Sequence, residues 1–77
     1  MDDTRIIATL RDLARTRGAG RTFCPSEAAR QLADDWRPLM DRVRQVAGQL
    51  DDIEATQGGA PVDPRTARGP IRLGLRR

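Results

Sequence analysis

Ile6, Leu10 and Leu13 fall at i, i+4 and i+7, and Ile7 and Ala14 widen the stripe they form. This is the period of an amphipathic helix, expected over about residues 4–17. Asp3 or Thr4 can cap its start, Arg15 and Arg17 suit the negative end of its dipole, and Gly18 and Gly20 end it. The run Arg21-Thr22-Phe23-Cys24 favours a short strand over about 21–24. Pro25 opens a second helix, where its missing N–H costs nothing. Glu27 lies near the positive end of that helix, and Ala28, Ala29 and Leu32 give it a small apolar face over about 25–33. Asp34-Asp35 form a tight link, with Asp35 a good N-cap for the next helix. That third helix, about 36–50, carries the clearest stripe: Trp36, Leu39, Met40, Val43, Val46, Ala47 and Leu50. Pro38 disfavours helical geometry at Arg37, so the regular part of this helix is expected to begin at Pro38.

After Asp51-Asp52 the period changes. Ile53-Glu54-Ala55-Thr56-Gln57 alternates apolar and polar, as a half-buried strand does, and so does Pro70-Ile71-Arg72-Leu73-Gly74-Leu75. The two predict an antiparallel hairpin of strands 53–57 and 70–75. Gly58-Gly59 signals a turn, and residues 58–69, with Pro61, Pro64 and Gly69, read as a long loop. Within it Asp63 can accept from nearby backbone N–H groups and Pro64 fixes a local turn, which argues for an ordered loop. The expected order is helix, strand, helix, helix, strand, strand in one α+β domain spanning residues 1–77. This is the order of a winged helix-turn-helix, with three helices, a small antiparallel sheet and a wing at 58–69.

Particular runs of residues carry a resemblance. They are Thr22-Phe23-Cys24-Pro25-Ser26-Glu27-Ala28-Ala29-Arg30, Asp34-Asp35-Trp36-Arg37-Pro38-Leu39-Met40 with Val43-Arg44, and Thr56-Gln57-Gly58-Gly59 with Val62-Asp63-Pro64. Gly69-Pro70-Ile71-Arg72-Leu73 completes the set. Over almost its whole length the chain resembles a bacterial family catalogued as domain of unknown function 3253. The resemblance implies a winged-helix fold and no particular activity.

Net charge is +3, and all fourteen basic residues are arginine. Their distribution changes the picture more than their number. Residues 1–62 hold nine arginines against ten acids, whereas residues 63–77 hold five against Asp63 alone. The positive excess therefore lies in the last fifteen residues, which points to an anionic partner.

The chemistry of enzymes is poorly represented. There is no histidine, hence no imidazole base, and one cysteine without histidine cannot build a zinc site. No phosphate-binding glycine loop is present. The carboxylates at 34/35 and 51/52 fall at helix boundaries and are expected to cap. Cys24, at the start of the second helix, is expected to be a small, partly buried capping residue rather than a redox sensor. The chain is expected to be no enzyme and to need no cofactor and no metal. One thiol, an acidic start and no apolar run long enough for a membrane point to the cytoplasm. Trp36 lies on the apolar stripe and is expected in the core, and with Phe23 the only other aromatic, single-strand binding by stacking is disfavoured.

The candidate nucleic-acid contacts are Arg37, Arg44 and Gln45 on the outward face of the third helix, with Arg65, Arg68 and Arg72 on the wing and its return strand. Arg76 and Arg77 extend the basic arm. Asp41 and Asp52 on the same helix face oppose phosphate. Two readings are open: a nucleic-acid-binding protein, a small transcriptional regulator contacting double-stranded DNA and acting as a homodimer, or a winged-helix protein–protein interaction module without nucleic acid.

Overall fold

The computed structural model describes residues 2–76 and begins with helix α1, Asp3–Arg17. Its N-cap is Asp2, one residue before the caps expected from sequence: the Asp2 carboxylate accepts from the Thr4 N–H at 3.0 Å. Gly18, at φ 88°, ends the helix in a conformation other residues avoid, and its N–H donates to the Ala14 carbonyl. Strand β1 is only Thr22–Phe23, and helix α2 is Pro25–Leu32. A 3-10 turn, Arg37–Leu39, precedes helix α3, Met40–Gln49. The helix expected over 36–50 is thus shorter, and its regular part starts after Pro38 rather than at it. The proline fixes the first turn as 3-10 geometry, and no side chain caps it, so Asp35 does not play the N-cap role expected of it.

Strand β2, Ile53–Gln57, turns through Gly58 and Gly59 into β3, Ala60–Val62, and the last strand is β4, Arg72–Leu75. The two glycines have φ of 60° and 85°, the geometry a two-residue hairpin requires. Strand β3 corrects the expected loop at 58–69, whose first part is paired with β2: Ala55 faces Val62 and Gln57 faces Ala60. Pro61 is tolerated because β3 is the sheet edge, where a missing N–H interrupts no ladder. The wing proper is then the segment from Asp63 to Ile71. The return strand starts at Arg72 rather than Pro70.

All pairings are antiparallel, in the order β1-β4-β2-β3, so the last strand in sequence lies inside the sheet. Helices α1 and α3 pack on the sheet, and α2 packs on both of them. The core between the layers is Ile6, Leu10, Leu13 and Ala14 of α1, Phe23, Ala28 and Ala29, Val43, Val46 and Ala47 of α3, and Ile53, Ala55, Ile71 and Leu73 of the sheet region. Burial of these side chains is the main stabilising term. The arrangement is an α+β fold of three helices and a four-stranded sheet, and its connectivity agrees with the expected winged helix-turn-helix.

Arginines tie the elements together. Arg11 of α1 pairs with Asp52 at 2.9 Å, Arg17 of α1 with Glu27 of α2, and Arg42 of α3 with Asp3 of α1. Asp52, expected as a cap, is therefore an ion-pair partner bridging to α1. Glu27 also accepts from the Cys24 N–H at 3.0 Å, closing the first turn of α2.

Candidate nucleic-acid interface

Successive residues of a helix are offset by 100°, which spreads the side chains of α3 over three fronts. Val43, Val46 and Ala47 face the core. Arg42 turns to α1, where it holds Asp3. Arg44 and Gly48 turn to the wing. Between these fronts Asp41 and Gln45 are exposed to solvent, and no hydrogen bond within the described residues engages the Gln45 side chain.

The wing is fastened to α3 at two points. The Arg44 guanidinium donates to the Ala67 carbonyl at 2.9 Å and to the Gly69 carbonyl at 2.7 Å. Lower down, the stem of Arg65 lies on Gly48, where a β-carbon would approach it to 2.6 Å. A third brace comes from β2, whose Gln57 amide donates to the carbonyls of Arg68 and Pro70. Within the wing, the Asp63 carboxylate accepts from the Arg65 backbone N–H at 2.9 Å and from its guanidinium at 3.0 and 3.1 Å. Those bonds hold the Asp63 carboxyl below its usual range. Pro64 is buried beside it. The loop is thus ordered by the Asx-type turn expected at Asp63 and Pro64, and by long-range donors the sequence does not reveal.

The structure brings Arg44 and Arg65 together on the seam between α3 and the wing, while Gln45 stands exposed on α3. Arg68 projects from the tip, exposed, and its side chain has no intramolecular partner among the described residues. Arg72 lies elsewhere: it reaches across to β1 and donates to the Thr22 hydroxyl at 3.1 Å and carbonyl at 2.9 Å. Arg37 stands in the 3-10 turn ahead of α3, with its guanidinium carbon 4.6 Å from the centroid of Trp36. Arg76 is fastened to the Asp51 carbonyl at 2.7 Å and Arg77 lies outside the described residues.

The kind of partner matters for the field these groups produce. A carbonyl oxygen leaves a guanidinium cationic, whereas a carboxylate cancels it. Arg44 therefore keeps its charge and Arg65 is matched by Asp63. Among the arginines of α3 and the wing, Arg44 and Arg68 face no carboxylate among the described residues, and Asp41 on α3 opposes them in charge.

Sequence reasoning misses Arg30. It stands in the last turn of α2 with its guanidinium carbon, like that of Arg37, 4.6 Å from the Trp36 centroid. Trp36 is half-buried against the core rather than enclosed in it. Arginines on both sides of a lone tryptophan in sequence are the one signal that points to this cluster. Among the described residues no group of acidic, cysteine or histidine side chains is placed to hold a metal, and no helix is long and apolar enough to cross a membrane.

A family model, described as protein of unknown function (DUF3253), matches residues 3–76. The chain belongs to that family. No curated protein matches it.

Proposed function

We propose that this member of DUF3253 is a non-enzymatic winged-helix protein that binds double-stranded nucleic acid by its phosphates, in the manner of a small regulatory DNA-binding domain. The seam between α3 and the wing is the contact surface. One observation carries the reading: Arg44 locks the wing tip against α3 through two carbonyls and stays charged while doing so. A pre-shaped cationic edge loses little conformational entropy when a polyanion docks. Gln45 on α3 and Arg68 on the wing are exposed donors with no hydrogen-bond partner among the described residues.

Fluorescence anisotropy of a labelled random duplex, measured at a series of salt concentrations, tests this. Each phosphate neutralised contributes about −0.9 to the slope of log affinity against log salt. Arg68→Ala is expected to reduce the slope by about 1 with the melting temperature unchanged, since its side chain bonds to nothing in the fold. Absence of duplex binding at low salt overturns the reading.

A protein partner is the second reading. Asp41, exposed at the start of α3 where a duplex would be read, favours it. A stoichiometric protein partner in a nuclease-treated pull-down, lost in Asp41→Arg, would establish that reading.

A further inference from the structure

Most arginines in the described chain have a partner. Arg11, Arg17, Arg42 and Arg65 hold carboxylates, and Arg44, Arg72 and Arg76 hold backbone carbonyls. Arg30 and Arg37 are different. Both are exposed and both stack on one aromatic ring at the same 4.6 Å from its centroid. Their guanidinium carbons therefore lie no more than twice that distance apart. Asp34 and Asp35 occupy the same turn, yet neither comes within ion-pair distance of them.

Stacking orients a guanidinium without using it up. The ring takes its face, and the N–H donors at its edge remain free for a planar or tetrahedral oxyanion. Two such edges flank one ring at the corner between α2 and α3. Carboxylates within a few residues leave them unpaired, so the anion that suits them comes from outside the chain. The ring itself is anchored, because Trp36 packs on the core.

We propose that Arg30 and Arg37, positioned by Trp36, form a seat for the phosphodiester backbone of a nucleic acid at the corner between α2 and α3. The seat rests on the nucleic-acid reading above and adds to it a second point of attachment, outside the wing. Bidentate arginine–phosphate bonds would fix how the helix pair lies on the backbone. Arg30 and Arg37 are the binding residues. Trp36 is a positioning residue.

Two probes separate this proposal from the wider one. With a labelled duplex, Arg30→Gln and Arg37→Gln are each expected to lower the salt slope by about 1, and the double variant by about 2. Trp36→Phe should keep the slope, because the ring remains. Trp36→Leu should lower affinity with the same charges present. A double variant that keeps the wild-type slope, in a protein whose duplex binding responds to Arg68→Ala, overturns the seat and leaves the wing reading intact. If the wild type binds no duplex, the wider reading fails and inorganic pyrophosphate decides the seat. Trp36 is the sole tryptophan and reports on its own guanidiniums. A saturable change in its fluorescence, absent in the double Gln variant, supports the seat, and no change overturns it.

Discussion

The stem of Arg65 lies so close over Gly48 that a β-carbon on the glycine would fall 2.6 Å from its Cγ and Cδ. A helix-weakening residue in the last turn of α3 is therefore the floor on which the wing rests. Glycine within a helix costs up to about 1 kcal/mol relative to alanine, and the fold accepts that cost where the wing must come near.

The two residues should be coupled. Gly48→Ala improves helix propensity but pushes Arg65 from its seat. In an Arg65→Ala background the same change meets no obstacle. Chemical denaturation of the four proteins in this cycle is expected to show Gly48→Ala gaining about 1 kcal/mol in the Arg65→Ala background, and clearly less in the wild type. Equal gains in both would mean that Arg65 does not rest on the helix.

Arg44 is the wing's main tether. Its replacement by methionine retains much of the stem but removes both bonds to carbonyls. Bonds to a charged donor at a partly exposed site contribute about 1–2 kcal/mol, which in a chain this short is a fall of several degrees in Tm. Amide exchange should quicken in the wing and hardly change in α1. An Arg44→Met protein with wild-type exchange in the wing would contradict the tether.

Acid should loosen the helices before the sheet. Glu27 is held below the ordinary glutamate range first by the hydrogen bond from Arg17, then by the Cys24 N–H. Asp52 is lowered first by Arg11, and Asp3 by Arg42. A carboxyl lowered in the folded state contributes stability that is fully present above its unfolded pKa, about 4. That contribution is lost as pH falls through the folded value. Tm is therefore expected to be nearly flat from about pH 5 to 7, in a chain without histidine, and to fall below about pH 4. Glu27→Gln should melt lower at neutral pH and fall less steeply in acid. Parallel curves for the two proteins would refute the contribution of the Arg17–Glu27 pair.

Gly74 has a different reason to be glycine. A β-carbon there would come 2.8 Å from the Arg21 carbonyl oxygen, on the neighbouring backbone. Backbone cannot swing aside as Arg65 can, so Gly74→Ala must push β1 outward, and with it the fully buried Phe23. A loss of about 1–3 kcal/mol is expected in urea unfolding. A neutral substitution would show that β1 gives way freely.

The helices and the core are legible in the sequence because one period governs each of them. Val43, Val46 and Ala47 announce the buried side of α3 by spacing alone, and Pro38 announces its late start. Strand β3 is hidden because Pro61 reads as a loop residue unless the strand is known to be an edge. The wing is legible as charge and as the local turn at Asp63 and Pro64, but not in its long-range ties. Arg44 meets residues 23 and 25 positions away, and Arg72 meets one 50 away. No local pattern distinguishes an arginine that will grip a carbonyl from one left to solvent. Five arginines after residue 62 therefore read as a basic arm offered to a partner, whereas Arg65, Arg72 and Arg76 are fastened to the fold.

The place of β4 has a consequence for how the molecule comes into being. It is made after β1, β2 and β3 and lies between β1 and β2, so β1 has no neighbour in the sheet until it arrives. On the ribosome the three helices can gather early, while Phe23 waits for Leu73 opposite it. The sheet then closes as β4, a strand that emerges after all the others, joins β1 to the β2–β3 hairpin. Translation that stops short of Arg72 would release a helical intermediate with its apolar underside open to water, which is the species that quality control would meet.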